Sequence, residues 1–361
     1  MPELPEVETV ARDLRSLVLG AEINGATVLW PGTLRTHDPD TFGPAIGGRR
    51  IEAVGRRGKQ LVVQLSGRMA LTLHLKMTGQ LFVVPADTPV DPYVRLVINL
   101  ADGRDLRFRD IRKFGKVGLY EMDVGTDELV RERGGAAVFA HIGPEPLDDT
   151  FDIRTFRRLI RSRRGRLKSL LLDQSFVAGV GNIYADEALW ASRLHPLRSA
   201  STLRPPDERR LHAEIRRILA EAVVRRGSSV DDYTAPDGDG SMQDHLLVYQ
   251  RAGLPCGRCS RPIRRIVVGA RATHFCSWCQ RLPSGDLAGA RDILSTMSPS
   301  RSAPAGRSLR PAKPRGPRWT ELAGDGTLGR SDLERVQSRA ERTRRAAAGR
   351  RAAARASQGD R

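Results

Sequence analysis

The most informative spacing in this chain of 361 residues lies in residues 256–279, which read CGRCSRPIRRIVVGARATHFCSWC. Two cysteine pairs, each with two residues between its members, are separated by sixteen residues, and the four are Cys256, Cys259, Cys276 and Cys279. Four thiolates in two close pairs suit tetrahedral zinc, and they leave no open coordination position for catalysis. The alternating stretch between the pairs turns at Gly269, so the segment predicts a β-hairpin with a structural zinc ion at its base. The alternative is a set of four unrelated buried cysteines.

The composition of the whole chain narrows the function classes. Sixty Lys and Arg stand against 42 Asp and Glu, which gives a net charge of +18. Such an excess favours an anionic partner, most often nucleic acid. The chain has no run of eighteen apolar residues, so the sequence predicts no membrane span. The acidic N-terminus also lacks an apolar signal segment. We therefore expect a cytoplasmic protein, which is nucleoid-associated when it binds DNA, and the few cysteines agree with a reducing compartment.

The N-terminal half has the pattern of a β-rich domain. Apolar and polar residues alternate at 60–65, 69–75, 93–100 and 116–122, with tight turns at Ser66-Gly67 and Asp102-Gly103. Short strands joined by such turns predict a β-sandwich or barrel. An amphipathic pattern before them predicts a helix over residues 5–19.

After a linker-like stretch at 143–152, the apolar period changes to that of helices, which predicts a helical middle domain. Within it, DQSFVAGVGNIYADEALW (173–190) places two glycines directly before a helix. Asn182 is the predicted N-cap of that helix, and a helix N-terminus behind a glycine turn is a natural phosphate site. The alternative is a tight turn between two helices. A polar, glycine-rich loop is predicted over residues 227–245.

The end of the chain is strongly basic. Residues 301–361 hold 16 basic and 6 acidic residues, which is more than half of the net positive charge. A segment of this composition cannot bury enough apolar surface to fold. We expect residues 296–361 to be a disordered basic tail, in which 331–356 could become helical when bound. It is either a solvated tail or a nonspecific polyanion-binding arm.

Seven ordered blocks give the chain a resemblance to the bacterial formamidopyrimidine-DNA glycosylase (Fpg) family, from Met1 to about Arg281. The blocks are MPELPEVET (1–9), RRGK (56–59), HLKMTGQL (74–81), DIRKFG (110–115), DQSFVAGVGNIYADEALW (173–190), VYQRAGLPC (248–256) and the cysteine segment. The resemblance implies a monomer that binds duplex DNA in a cleft between its domains. We expect an α+β multidomain fold with a β-sandwich and its N-terminal helix at 1–138, a helix-two-turn-helix domain at 145–240, a zinc finger at 247–283 and the tail at 296–361.

The resemblance also implies base excision repair. Family members remove oxidised purines, such as 8-oxoguanine and formamidopyrimidines, and then cleave the abasic strand by β,δ-elimination. If Met1 is removed, as in the family, Pro2 presents a secondary amine that attacks C1′ of the deoxyribose and forms an iminium. Glu3 is the implied general acid on the opening sugar. Lys59 is the implied proton donor in β-elimination, and Arg271 the residue that grips phosphate and assists δ-elimination.

Further residues match DNA-contacting positions of the family. The family residues that contact the phosphate backbone are matched by Asn182, His74 and Tyr249. Arg163 is a weaker match to such a position. Three others match the side chains that fill the space left by an extruded base, and they are Met77, Arg112 and Phe114. An apolar chain and an aromatic ring replace the lost stacking there, while the arginine hydrogen-bonds the orphaned base.

Several residues depart from the family pattern. Lys76 stands where the family often has glycine, and Tyr93 where a DNA-contacting histidine is frequent. Lys113 and Ile111 replace the common arginine and proline of their loop. The loop at 227–245, expected to grip an extruded 8-oxoguanine, is slightly short. These departures leave the lesion preference open.

Two other functions remain open at this point. One is an endonuclease VIII-like glycosylase for oxidised pyrimidines, although that branch typically has glycine at the position of Leu4. The other is a noncatalytic protein that binds damaged or bent DNA, which would need no free amine at Pro2.

Overall fold

The structure, a computed structural model, describes residues 1–131, 135–228 and 240–297. The helices are α1 Leu4–Val18, α2 Pro39–Ile46, α3 Ile153–Arg161, α4 Leu167–Leu172, α5 Asn182–Ala191, α6 Pro205–Val224, α7 Ser284–Leu287 and α8 Arg291–Ser295. The strands are β1 Ile23–Val28, β2 Ile51–Arg57, β3 Gln60–Leu65, β4 Met69–His74, β5 Gly79–Pro85, β6 Val94–Leu100, β7 Arg104–Asp110, β8 Lys116–Met122, β9 Leu129–Val130, β10 Arg264–Val268 and β11 Arg271–Phe275. Across these ranges, no helix has the length and apolar character that crossing a membrane requires. The predicted tail, except for its first two residues, lies outside the described residues.

Two antiparallel sheets form the N-terminal domain. Their strand orders are β1-β6-β7-β5 and β2-β3-β4-β8-β9. The four predicted strands are β3, β4, β6 and β8, each within one residue of the expected bounds. In β3 the alternation buries Leu61, Val63 and Leu65 in a core that side chains of both sheets share. The expected β-sandwich is therefore confirmed.

Helix α1 lies between the sandwich and the helical domain. Pro5 occupies its first turn, where the missing N–H leaves no bond unmade. Val7, Val10 and Leu14 are buried in the sandwich core, and the helix packs against both β2 and α6. The N-terminal end of α1 is therefore placed at the junction of the two domains.

The predicted helical middle domain is also confirmed. Helices α3 to α6 enclose a second apolar core that contains Phe156, Tyr184 and Leu211. Helices α4 and α5 are joined by the glycine turn, and α5 packs against α6 and against β11. The helical domain therefore presents the N-terminus of α5 to both neighbouring domains.

Strands β10 and β11 form the hairpin predicted between the cysteine pairs. Val268 pairs with Arg271, and the two residues between them, Gly269 and Ala270, have φ values of +53° and +60°. A turn with two left-handed residues matches the twist of a two-stranded ribbon. Arg271 is therefore fixed at the tip of the hairpin.

Candidate active site

The carboxylate of Glu3 binds the N-terminus of α5. Its Oε2 accepts a hydrogen bond from the Gly181 N–H at 2.7 Å, and its Oε1 accepts one from Ile183 at 2.8 Å. A third N–H, from Tyr184, lies 3.4 Å from Oε2. Glu3 is 2 % exposed and Pro2 is also buried. The positive end of the α5 dipole thus holds a carboxylate of this chain.

This contact corrects two predictions about the glycine turn. The N-cap of α5 is Gly181, and Asn182 is the first helical residue. The amides of Gly181 and Ile183, expected to bind phosphate, bind Glu3. The Asn182 side chain instead donates from Nδ2 to the Ala272 carbonyl at 2.9 Å. Its Oδ1 is buried and has no hydrogen-bond partner among the described residues. Asn182 therefore joins α5 to the hairpin.

The glycines are required because the N-terminus of the chain approaches the turn so closely. The Leu4 N–H donates to the Gly179 carbonyl at 3.0 Å. A Cβ on Gly179 would lie 2.5 Å from the Leu4 side chain, and a Cβ on Gly181 would lie 2.4 Å from Cδ of Glu3. Any side chain at these positions would displace the start of α1.

Lys59 lies in the turn between β2 and β3, next to this junction. Gly58, with φ +56°, packs beside the backbone of Gly179. Lys59 is only 8 % exposed. Burial lowers the pKa of Lys59, against the opposing effect of the nearby Glu3 charge. Burial likewise raises the pKa of Glu3, which the Lys59 charge counteracts. A carboxyl with a raised pKa and an amine with a lowered pKa both suit proton transfer near neutral pH.

Glu145 holds the Lys59 turn, and the sequence reasoning missed it. Its Oε1 accepts from the Gly58 N–H at 2.5 Å and from Arg57 at 2.8 Å, while its Oε2 accepts from Arg56 at 2.5 Å. Burial opposes ionisation, but Arg56 and these donors lower the pKa of Glu145. The only available signal was an acidic residue in a proline-rich linker, which does not reveal a partner 89 residues away.

Sequence reasoning also missed that the Glu6 side chain links α1 to α5 and to Ser228. Its Oε2 accepts from the Glu3 N–H at 2.8 Å, and its Oε1 accepts from the Tyr184 hydroxyl at 2.6 Å and the Ser228 N–H at 2.8 Å. Ser228 is the second residue of the predicted loop at 227–245, of which residues 229–239 lie outside the described part of the chain. Glu6 therefore connects the start of α1 with the root of that loop.

The hairpin is fastened to α5 by a buried carboxylate. Asp186 pairs with Lys168 at 2.6 Å, and both side chains are fully buried. Its other oxygen accepts from the His274 N–H at 2.8 Å and contacts the His274 ring at 3.1 Å. Tyr249 is buried beside that ring, with 5.2 Å between ring centroids. Arg271, an exposed residue at the hairpin tip, contributes to the electrostatic environment of Lys59.

The four cysteines converge as predicted. One ligand atom from each lies within 4.8 Å of the others. Cys256 Sγ accepts a hydrogen bond from Trp190 Nε1 at 3.4 Å, and Cys276 Sγ accepts one from the Cys279 N–H at 3.4 Å. N–H groups directed at sulfur stabilise thiolates, so these residues fit a structural zinc ion.

The predicted base-replacing side chains lie on two linked loops. Thr78, next to Met77, donates its hydroxyl to Asp110, whose carboxylate also accepts from the Arg112 N–H at 3.1 Å and the Gly115 N–H at 2.7 Å. The structure brings the loops together through Asp110. The Arg112 guanidinium lies over the Phe114 ring at 5.1 Å, and both side chains are exposed.

The departures from the family pattern lie around the same loops. Lys113, with φ +62°, places its ammonium 3.9 Å from the ring centre of Trp30. Lys76 has φ +55°, and its N–H donates to His74 Nδ1 at 3.1 Å. The left-handed backbone at Lys76 explains why glycine suits that position. Ile111 is 47 % exposed.

Two further predicted DNA-contacting residues are Tyr93 and Arg163. Tyr93 is half-buried against the Arg109 guanidinium, at 5.1 Å from its ring centre. Arg163 follows α3, and its guanidinium lies 3.5 Å from the Ser175 hydroxyl at the start of the glycine turn. The structure therefore concentrates Glu3, Lys59 and Asn182 at the domain junction and leaves the others around it.

Comparison with known protein families agrees with this architecture. Residues 1–117 match the formamidopyrimidine-DNA glycosylase N-terminal domain, and residues 142–234 match the H2TH domain of the same proteins. Residues 253–282 match the zinc finger found in FPG and IleRS. Together with the convergent thiols, the last match identifies the cysteine cluster as a structural zinc site.

Individual proteins are similar over the same extent. A formamidopyrimidine-DNA glycosylase of Chloroflexus aurantiacus is 46 % identical over 282 residues, which are 78 % of this chain and 98 % of the relative. The formamidopyrimidine-DNA glycosylase of Herpetosiphon aurantiacus is 44 % identical over 282 residues, which are 78 % of this chain and 100 % of the relative.

Solved structures show the same fold. The Thermus thermophilus MutM (FPG) protein is 41 % identical with a TM-score of 0.67, covering 78 % of this chain and 100 % of that one. Lactococcus lactis Fpg, in a complex with DNA that contains an abasic site, is 35 % identical with a TM-score of 0.69. The match covers 77 % of this chain and 99 % of that one. From its three domains and these relatives, the chain belongs to the formamidopyrimidine-DNA glycosylase family.

Proposed function

We propose that this protein is a bifunctional DNA glycosylase and abasic-site lyase for oxidised purines in duplex DNA. The observation that carries the proposal is the buried Glu3 carboxylate, held by two backbone amides of α5 directly beside Pro2. Beside Pro2, this desolvated carboxyl has the position that a general acid at the opening sugar would need. The named relatives are formamidopyrimidine-DNA glycosylases, and one related structure holds DNA with an abasic site.

Pro2 is the proposed nucleophile once Met1 has been removed. Its amine forms a bond to C1′ of the deoxyribose as the bond to the damaged base breaks, and ring opening gives an iminium. The iminium withdraws electrons, so a proton leaves C2′ and the 3′ phosphate departs. A second elimination then releases the 5′ phosphate. An α-amine titrates near pH ~8, so a neutral fraction is present at pH 7.

Glu3 and Lys59 are the proposed proton carriers. The raised pKa of Glu3 favours the protonated carboxyl that a general acid at the sugar requires. The lowered pKa of Lys59 reduces the cost of releasing a proton during β-elimination. Each shift comes first from burial, so the same closed junction tunes both groups.

The remaining residues are proposed to bind DNA around this junction. Arg271 at the hairpin tip contacts phosphate and assists δ-elimination, and the proposed backbone contacts are Asn182, His74, Tyr93, Arg163 and Tyr249. Phosphate contacts of this kind set the register of a protein on its duplex. The extruded base is replaced by Met77, Arg112 and Phe114, because unstacking costs a few kcal/mol that such side chains offset. We propose that the protein acts as a monomer in the cytoplasm, with domain limits at 1–138, 145–240, 247–283 and 296–361.

A borohydride trap tests the proposal. Purified protein is mixed with labelled duplex that contains 8-oxoguanine opposite cytosine, and separately with an abasic duplex. We expect a covalent adduct with both, and none with a Pro2→Gly variant. An adduct with the abasic duplex alone would favour oxidised pyrimidines as substrates. No adduct with either, from zinc-loaded protein with a free Pro2, would overturn the proposal and leave the noncatalytic alternative.

A further inference from the structure

The wedge loop, which we define as residues 111–114, carries two of the side chains proposed to replace an extruded base. They are Arg112 and Phe114, and all four residues of the loop are exposed. Asp110 holds the ends of the loop, because its carboxylate accepts hydrogen bonds from backbone N–H groups on both sides of the loop centre. These bonds leave the side chain of Lys113, in the middle of the loop, to be held by another contact.

The side chain of Lys113 lies on Trp30. Its ammonium is 3.9 Å from the centre of the indole ring, which is within the range of a cation–π contact. Lys113 has φ +62°, a left-handed backbone that is unfavourable for lysine. Such a conformation persists where the surrounding structure compensates for it. The contact with Trp30 is one such compensation.

The position of Trp30 is fixed by contacts outside the wedge loop. Its N–H donates to the Arg95 carbonyl at 3.1 Å, and the Arg95 side chain donates from Nε to the Asp110 carbonyl at 2.8 Å. Gly32 lies so close to the indole that a Cβ there would be 2.7 Å from Nε1. The Lys116 ammonium donates to the Gly32 carbonyl. Trp30 is therefore linked to the residues that precede and follow the wedge loop.

We propose that Trp30 is a positioning residue for the wedge loop. It acts through Lys113, and it holds Arg112 and Phe114 in the geometry that they need when a base leaves the duplex. The inference rests on the proposed function, because that function gives the two wedge side chains their role. A loop that is already ordered loses less conformational entropy on entering the duplex. The support from Trp30 therefore lowers the barrier to base extrusion.

Stopped-flow fluorescence measures this effect, with 2-aminopurine next to 8-oxoguanine in a duplex that has cytosine opposite the lesion. The variants are Trp30→Leu, Lys113→Asn, the double variant that combines them, and Trp30→Phe. An exposed cation–π contact corresponds to about a two- to fivefold change in rate, so Trp30→Leu and Lys113→Asn should each slow unstacking by that factor. The double variant should be no slower than the slower single variant, because both changes remove the same contact. Trp30→Phe retains a ring face and should stay within about twofold of the unchanged protein.

Two controls separate positioning from a general loss of folding. Leu29→Ala changes an exposed residue next to Trp30 and should leave the unstacking rate unchanged. Cleavage of an abasic duplex at saturating protein needs no base extrusion, so its rate should be the same in every variant. Asparagine tolerates left-handed backbone, so Lys113→Asn removes the ammonium without adding strain.

Two results would overturn the inference. Unchanged unstacking in both single variants would show that the contact does not position the loop. Additive losses in the double variant would show that Trp30 and Lys113 act on DNA separately. Failure of the proposed function has a different signature, because the unchanged protein would then neither cleave the abasic duplex nor give an adduct in the borohydride trap.

Discussion

Glu3 illustrates how one residue combines a structural and a chemical role. Its carboxylate satisfies two N–H groups at the start of α5, which otherwise have no partner within the helix. Burial destabilises the charged form of Glu3, whereas those bonds stabilise it. The effect of burial is the larger one, so the pKa of Glu3 is raised. The residue is therefore rigid and still able to hold a proton.

Replacing Glu3 with Gln tests the chemical role. We expect base excision to fall about 10²- to 10⁴-fold, because glutamine cannot transfer a proton. Single-turnover excision of 8-oxoguanine measures the effect, and Glu22→Gln, at a residue exposed on the sandwich surface, is the matched control. Equal excision rates for the two variants would exclude Glu3 as the acid.

His74 gives a pH-dependent prediction. Its pKa is lowered from 6.5 to about 3, first by burial and then by the charges of Lys76, Lys59 and Arg35. Below pH 6.5 the unfolded chain takes up a proton that folded His74 refuses, so stability falls as the pH falls towards 3. Between pH 7 and pH 5 the protein should lose about 2 kcal/mol more unfolding free energy than a His74→Gln variant. Denaturant titrations at both pH values measure this, and equal losses would show that folded His74 is protonated at pH 5.

At the scale of elements, the glycine turn determines how the N-terminus of the chain reaches the junction. Gly179 and Gly181 lie against Leu4 and Glu3, with no room for a side chain. The turn was expected to approach a phosphate, but the group that approaches it is the first turn of α1. The glycines are therefore required by a close approach within the chain, and the phosphate predicted at this turn was wrong.

A Gly181→Ala substitution tests this packing. The new Cβ would lie 2.4 Å from Cδ of Glu3, so we expect a loss of ~1–3 kcal/mol in unfolding free energy from overpacking. Base excision should fall as well, because Glu3 must move. Gly165→Ala in the same domain is the matched control, because its Cβ would meet no atom of the described residues within 4 Å. We expect its change to be within ~0.5 kcal/mol. If both variants behave alike, the close contact is not what requires glycine.

At the scale of the whole molecule, buried and largely buried carboxylates join the domains. Glu6 connects α1 with Tyr184 and Ser228, Glu145 connects the linker with the Lys59 turn, and Asp186 connects α5 with the hairpin. Each is paired with several donors, which offsets the cost of burying a charge. The junction that holds the proposed catalytic groups therefore depends on all three domains.

Removing zinc should affect the zinc finger and leave the sandwich folded. Chelation, or a Cys276→Ser substitution, should unfold the two cysteine turns and misplace Arg271, since structural zinc supplies folding free energy directly. The sandwich core contains no residue of the hairpin, so it should stay folded. Metal analysis should give one zinc per chain, and affinity for an abasic duplex should fall. Ser277→Ala, a substitution between Cys276 and Cys279, is the control. Zinc-free protein that binds DNA with unchanged affinity would contradict this prediction.

Sequence alone determined the local features of the protein. The cysteine spacing, the turn at Gly269 and the amphipathic pattern of α1 are set by residues close together in the chain, where period and turn chemistry act directly. The family resemblance added Pro2, Glu3 and Lys59, whose roles remain predictions.

Tertiary structure alone decided which groups meet at the junction. Glu3 binds an amide 178 residues away, and Glu145 binds Arg56 across 89 residues. Asn182 was predicted as a cap because a capping preference is a local rule, but Glu3 supplied the acceptor at that helix end. Burial, which shifts the pKa values of Glu3 and Lys59, likewise arises only when distant segments pack together and exclude water.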